Sequence, residues 1–562
     1  MELMLKTGCR ATLRRMISLA GRRSGAPRLF GAALACVAAN SVAARANAQQ
    51  CTTTRAIVAP AAYAGARIHS VRIETAGPDA GTSRSVLRHL HRVTLPARIE
   101  QELLFAAGDT VDTLRVAESM RRLRALGFLD QAELAVTRCG AGDVDLVVAT
   151  RDSWSATPEI RVRSSAATLG VNERNALGTG VGVRLALQSG SGGIGVQTAA
   201  RLPGLPFHGL TSEVGAVAFA NGHTWYGAFD TRAPVAGPAW TLSARMAASE
   251  REPRTQPGSL FDRATTSLLV GRRIGGGFGG AATYALGGAE RQHADLAASA
   301  GDVVLGPRAV RRDYAGAMAG VARVATRFDT LTWILPRGGV ADVPRGTEHE
   351  IVAGLGRDRV TGALATHWDG WAGRVLDAPR RGTLVVGDVW ASGYDGDDLL
   401  RSSTVRAAVA LRQRAWRGAW AATLAAESLR NPDPDVRALA SLDPLSGALP
   451  RTTRLAESAL STSVERGVHL HDVTRSLGID GALFAAGSYR WDPAGTTSEA
   501  LGLAAVGVGL RLAPVRTPRA TLRLDLGMPV AHVGAARGRP YIALSLAPWL
   551  LDGRQRDGRR LP

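Results

Sequence analysis

From Trp154 almost to the C-terminus the chain alternates apolar and polar residues with period two, and helical periodicity is absent over about 400 residues. Val181, Val183, Leu185 and Leu187 alternate with Gly182, Arg184, Ala186 and Gln188. Val506, Val508, Leu510 and Leu512 alternate with Gly507, Gly509 and Arg511, and Leu522, Leu524 and Leu526 with Thr521, Arg523, Asp525 and Gly527. Ile542, Leu544 and Leu546 repeat the pattern against Ala543, Ser545 and Ala547. The runs are about 9 to 14 residues long, are separated by Gly, Asp, Pro and Ser, and amount to roughly 16 to 19 strands, with the ambiguity between residues 260 and 400. Each strand has one apolar face and one face of Gly, Ala, Ser and charge. A soluble β-sandwich would bury the apolar face; a transmembrane barrel turns it to lipid and lines a lumen with the other. Only helices and closed sheets satisfy their backbone in hydrocarbon, and no stretch of about 18 uninterrupted apolar residues offers a helix. Segment number, segment length and an N-terminal leader together select the barrel. On the run from Thr404, Arg406, Arg412 and Arg414 then face the lumen.

Residues 1–48 read as an export signal. Arg10, Arg14, Arg15, Arg22, Arg23 and Arg28 form a basic region, Leu29 to Ala44 an apolar one, and Ala46-Asn47-Ala48 has the small-x-small pattern of a cleavage site. Cleavage there lowers the formal charge of +20 to 60 basic groups against 47 carboxylates, about +13. It also removes Lys6, the only lysine, which excludes a phosphate-loop lysine, a Ser-Lys dyad and a Schiff base. Residual positive charge on an exported chain points to anionic lipid and cell-wall polymers, not to nucleic acid. Of four cysteines, Cys51 and Cys139 remain. In an oxidising compartment the two can pair, tying the mature N-terminus to the end of the first domain, or stay as two thiols.

Residues 49–66 are an Ala-rich tether, and residues 67–154 are mixed α and β. Ile68, Val71 and Ile73 mark a strand. Pro96 opens a short helix over Ala97 to Phe105. Asp112 or Thr113 caps a second helix whose apolar face is Val116, Met120, Leu123 and Leu126, ended by Gly127. Leu134 and Val136, then Val144, Leu146 and Val148, alternate as two strands. The order is β-α-α-β-β.

Motifs for chemistry are weak. His349-Glu350 begins an HExxH pattern, but Ala353 stands at the second histidine. His469 and His471 lie beside Asp472 without a third ligand. The runs 275-GGGFGG-280 and 178-GTGVG-182 precede no helix, so they are not dinucleotide turns. Ser191 lacks a nucleophile elbow. The chain is therefore read as a non-enzyme, with no cofactor and no metal.

Several segments resemble one family. The stretch 102-ELLFAAGDTVDTLRVAESMRRLRALGFLDQAELAV-136 looks like a POTRA (polypeptide-transport-associated) domain. The run 147-VVATRDSW-154 resembles the junction into a bacterial surface-antigen barrel of the outer-membrane assembly-factor superfamily, and 172-NERNALGTGVGVRL-185 its second strand with an Asn before an LGxG turn. The runs 504-AAVGVGLRLAP-514, 519-RATLRLDLGMPV-530 and 540-PYIALSLAPWL-550 are similar to its last three strands.

The resemblance implies a mainly β chain: an antiparallel transmembrane barrel of about sixteen strands over residues 155–552, a polar tail at 553–562, and a periplasmic POTRA-like domain at 67–154. It implies factors for assembly, insertion or translocation of polypeptides, whose periplasmic domain receives clients by strand addition. The receiving edge is the second POTRA strand, with Gln131, Glu133, Leu134, Val136 and Arg138, or else simply an edge strand protected by charge. Its partners are outer-membrane lipids, unfolded client strands, and periplasmic chaperones or lipoproteins. Two features depart from the pattern. The loop at about 430–453 lacks the family's Arg-Gly-aromatic motif, Arg451 being the nearest candidate, and the acidic partner expected in 481-GALFAAGSYRW-491 is replaced by Ala486. A passive Arg-lined pore favouring anions is the competing reading.

Overall fold

The structure is a computed structural model that describes residues 60–78, 91–139, 142–163, 166–190, 193–204, 210–231, 239–251, 260–277, 280–297, 311–331, 341–378, 382–396, 402–430, 458–474, 477–491, 501–514, 521–533 and 539–547. The leader, Cys51, Ser191, Arg451 and the polar tail lie outside these residues, as do the side chains of Arg138 and Cys139. The chain divides into two compact units, Met1–Arg72 with Phe105–Thr113 and Glu133–Val148, and Ile73–Leu104 with Leu114–Ala132 and Ala149–Pro562.

From Arg67 to Asp152 the element order is strand β1 (Arg67–Ala76), helix α1 (Pro96–Glu100), helix α2 (Thr113–Ala125), strand β2 (Leu129–Cys139) and strand β3 (Asp143–Asp152). The three strands form one sheet in the order β1-β3-β2, so β2 is an edge. The first unit buries Ile68, Phe105, Val111, Leu134, Val136, Val144, Leu146 and Val148, which include the alternating residues of both predicted strands. In α2, Val116, Met120, Leu123 and Leu126 are all buried, as the 3.6-residue spacing requires. The first helix is shorter than expected. Its Pro96 sits at the first turn, but after Glu100 the Glu102 and Leu103 amides bond only three residues back, to Ile99 and Glu100. The Leu104 amide then donates to Ser119 Oγ at 2.8 Å in place of a helical carbonyl.

Among the described residues twenty strands, not sixteen, form a closed antiparallel barrel. Its first strands are β4 (Ala156–Arg163), β5 (Ala166–Ala176) and β6 (Val181–Gly190), and its last is Tyr541–Ala547. Sixteen is what the family resemblance implies, and alternation alone reads as roughly 16 to 19, with its ambiguity between residues 260 and 400. Turns as short as Ala220-Asn221 and Trp416-Arg417 join neighbouring strands. A separate two-stranded sheet, Phe328–Leu331 with Ala341–Pro344, lies between the barrel strands Arg311–Ala325 and Gly346–Asp358.

All round the wall, aliphatic residues occupy the outer face: Val183, Leu185 and Leu187; Val405 and Val409; Val506, Val508 and Leu510; Leu524, Leu526 and Met528 are all exposed. Polar and small residues face inward. That is the distribution of a barrel in contact with hydrocarbon. Exposed Trp225, Trp368 and Tyr489 lie near one rim and Trp240, Trp416 and Trp420 near the other, as interfacial aromatics do. Inside, aromatic rings lie on glycines of neighbouring strands. A Cβ on Gly215 would overlap Tyr226 Cζ, and one on Gly527 would overlap Tyr541 Cζ. No helix among the described residues is long and apolar enough to cross a membrane.

Candidate functional site

At the rim where β4 begins, two motifs singled out in the sequence meet. Asp152, of the RDSW run, is 1% exposed and accepts hydrogen bonds from the Thr94 amide (2.8 Å) and the Thr94 hydroxyl (2.7 Å). His91 Nε2 lies 2.9 Å from Oδ2, the oxygen that also accepts the Thr94 amide, and the imidazole meets Trp154 edge-on at 5.9 Å. Asn175, before the LGxG turn, donates to Thr94 Oγ1 at 2.8 Å and accepts from the Gly180 amide at 2.7 Å. The turn's Gly178 carbonyl accepts the Leu95 amide at 2.9 Å. Both turn glycines have positive φ, 76° and 77°. A Cβ on Gly178 would overlap the Val93 carbonyl oxygen, and one on Gly180 the Arg98 Nε. Asp152, Asn175 and the two glycines thus hold residues 91–98 against the barrel rim. The motifs were legible; the segment they grip was not.

Helix α2 enters the same mouth. Arg124 pairs with Asp342 of the small sheet through two bonds of 2.9 Å, and Arg121 lies 4.3 Å from the Phe328 ring centroid. Arg121 is also held by Glu118 at 2.6 and 2.7 Å. Beside the helix a cavity of about 1000 Å³ opens, lined by Arg98, Arg121 and Arg122 and by wall residues Arg201, Arg245 and Tyr284.

The lumenal wall carries matched charge. Arg511 Nε and Nη2 donate to Glu465 at 3.2 and 2.9 Å, and Nη1 donates to Asp525. Arg523 Nη2 adds a bond of 2.9 Å to Glu465. Arg511 reaches across an intervening strand because small residues, Ala482 and Gly509, stand in register below it; a Cβ on Gly509 would overlap both Arg511 Nη1 and Asp525 Oδ1. Arg184 is bidentate to Glu159 at 2.8 and 2.6 Å, and Arg406 stands directly opposite Glu427. Arg406, Arg412 and Arg414 share the face opposite the exposed Val405 and Val409. Sequence reading missed a further group near the other rim. His367 Nδ1 lies 2.6 Å from Glu290, Tyr394 donates to Asp358 at 3.0 Å, and Arg312 stacks 5.0 Å over Tyr394. These come from strands up to 77 residues apart, which no local spacing could indicate.

The barrel closes at a short seam. Tyr541–Ala547 is seven residues long and pairs with the preceding strand throughout, from Thr521↔Ala547 to Gly527↔Tyr541. With β4 it pairs, among the described residues, only through Leu544↔Val162 and Ser545↔Arg161.

The remaining residues expected to matter are scattered over the fold. Gln131 and Glu133 lie on edge strand β2 and are partly or fully accessible, whereas Leu134 and Val136 point inward. Ala486 is buried on the lumenal face, in register with Ser463 and Ala505. His349 and Glu350 are successive residues of a strand, not of a helix. His469 is engaged by Asp480 at 3.0 Å and Asp472 at 3.8 Å, at a register shift that separates it from His471. Among the described residues no three or more His, Cys, Asp or Glu side chains converge as a metal site.

No family model matches the chain, and no curated protein matches it. Among solved structures it is similar to BamA from Haemophilus ducreyi lacking POTRA domains 1–3, at 11% identity, 86% of this chain, 85% of that one and a TM-score of 0.32. It is also similar to CdiB from Escherichia coli, at 12% identity, 86% and 76% coverage and a TM-score of 0.43. The siderophore receptor PirA from Pseudomonas aeruginosa gives 10% identity, 75% and 87% coverage and a TM-score of 0.32. All three scores are below 0.5, so the barrel's own geometry and its residue patterns have to carry any functional conclusion.

Proposed function

We propose that this chain is an outer-membrane barrel that assembles, inserts or translocates polypeptides, with residues 67–154 on the periplasmic side. The observation that carries this reading is the seam. Among the described residues nineteen of the strand junctions are extended ladders and the last is joined at two residue pairs, so within them separating Tyr541–Ala547 from β4 breaks far fewer hydrogen bonds than opening the wall elsewhere. An opened seam exposes two strand edges, on which an extended client can pair by main-chain hydrogen bonds. Edge strand β2 is the second such surface, where Gln131 and Glu133 flank a client arriving from the periplasm.

The wall next to the seam is held by charge. Arg511, Glu465, Asp525 and Arg523 join the fifth, third and second strands from the end, a charge-assisted lock built into the barrel where the 481–491 run lacks its acidic residue. Arg184 and Arg511 are bonded to carboxylates and Arg406 stands opposite Glu427, so these three arginines are not bare anion sites on the lumenal wall.

A seam crosslink tests the reading. In a Ser545→Cys, Arg161→Cys variant the two cysteines replace register partners. Oxidation is expected to leave the barrel folded, shown by unchanged heat-modifiable migration, while the abundance of other outer-membrane proteins falls; reduction restores it. An unchanged outer-membrane profile in the oxidised state, and after deletion of residues 67–150, would remove the proposal.

A further inference from the structure

One hairpin tip on the rim beside α2 brings two arginines and two indoles together. Strands Ser402–Ala415 and Gly418–Arg430 are joined by Trp416-Arg417 alone. Arg417 has φ 52°, a left-handed conformation that a bulky side chain adopts only against steric cost and that glycine would take freely. Its guanidinium lies 5.5 Å from the Trp416 ring centroid, and Trp416 is 77% exposed. On the adjacent strand Arg466 stands in register with Trp420 and lies 5.7 Å over its ring. Arg466 is fixed by its own donors: Nη1 bonds the Gly467 carbonyl at 2.6 Å, and Nη2 bonds the Trp416 carbonyl. A Cβ on Gly418 would come within 3.1 Å of Arg466 Nη1 and overlap the Gly467 carbonyl oxygen, so glycine makes the room.

Two guanidinium groups, each backed by an indole, are thus held at one tip. Among the described residues neither is ion-paired. The nearby carboxylates Asp480 and Asp472 lie 3.0 and 3.8 Å from His469, whose amide in turn donates to the Arg417 carbonyl at 2.7 Å. Directly toward the middle of the barrel the outer face turns apolar, with Val409, Val405 and Leu424 exposed. The tip therefore sits where hydrocarbon gives way to headgroups, with indoles at the boundary and unpaired cations above them. Arginine suits this place, since its planar fork binds phosphate bidentately and stacks on indole at once.

We propose that Arg417 and Arg466, with Trp416 and Trp420 beneath them, bind the phosphate of an anionic phospholipid at this rim. The assignment rests on the proposed membrane function. On that reading the rim beside α2 faces the periplasmic leaflet, so the occupant is a phospholipid and not a phosphorylated glycolipid of the opposite leaflet. The left-handed Arg417 is retained because glycine, although relaxed there, would remove one of the two cations.

The test uses the full chain reconstituted in nanodiscs of equal parts phosphatidylglycerol and phosphatidylcholine, then released into the gas phase for native mass spectrometry. The wild type is expected to retain phosphatidylglycerol over phosphatidylcholine by roughly fivefold for each arginine engaged. Arg417→Gly and Arg466→Gln should each remove one such factor, and the double variant both. Arg311→Gln, at the opposite rim beside Asp295, should leave the preference unchanged. Equal retention of the two lipids by wild type, or a preference that survives in the double variant, would overturn the site. In parallel discs that also carry diphosphorylated lipid A, equal or better retention of that lipid would overturn the phospholipid assignment, and loss of the preference in millimolar inorganic phosphate would overturn it in favour of a free-anion site. A chain that carries no bilayer lipid at all, with no heat-modifiable migration, would instead count against the membrane reading itself.

Discussion

Asp152 accepts two hydrogen bonds from Thr94 and faces His91, all with almost no access to water. Removing a carboxylate in that position strands two buried donors, each costing about 1–3 kcal/mol. Asp152→Ala is therefore expected to raise hydrogen exchange at the Thr94 amide by at least about tenfold, with little change in the distant strands. Asn175→Ala should do the same at the Gly180 amide, whose only described acceptor is the Asn175 side chain. At the lumenal lock, Gly509→Ala places a methyl where Arg511 and Asp525 meet. It should lower stability in detergent by about 2–4 kcal/mol, comparable to breaking a buried pair, read as a fall in the thermal midpoint. A value within about 0.5 kcal/mol of wild type would mean that the ion network is slack. At this scale the sequence was half legible. Asp152, Asn175, Gly178 and Gly180 stood out within runs that resemble one family, and the positive φ of the two glycines accounts for their residue type. What they hold, residues 91–98, depends on contacts across about 60 to 80 positions, and nothing in a local run encodes that.

The helix α2 was legible as an element because one face carries Val116, Met120, Leu123 and Leu126, all buried. Its attachment was not. Arg124 and Asp342 are 218 residues apart, and a charged residue on a helix surface looks solvated until its partner is known. Arg124→Asp should raise hydrogen exchange across 114–125, and Asp342→Arg should do likewise. The two together are expected to recover most of the loss, with a coupling of about 1 kcal/mol for a part-exposed bidentate pair. Additive losses in the double variant would show that the pair does not hold the helix. Strands were legible by period but not by number. Alternation reports which face a residue takes; strand number depends also on tight reversals such as Ala220-Asn221, where two residues followed by Gly222 (φ 145°) suffice.

On the scale of the molecule, the outward Val, Leu and Ile residues cannot be left in water. The signal-free chain is expected to remain folded only in detergent or bilayer, with β-type circular dichroism and heat-modifiable migration; a folded monomer in plain buffer would contradict the barrel's orientation. The count of twenty has a further effect. Strands about 4.8 Å apart and tilted by about 40° put the backbone on a cylinder of radius ~20 Å, which is more than side chains from opposite walls can span. Side chains alone therefore do not fill this bore, and α2 stands among wall residues at one mouth. In circuit terms the helix is a plug wired to the wall by one ion pair. A single-channel recording should show the current step upward when Arg124 and Asp342 come apart.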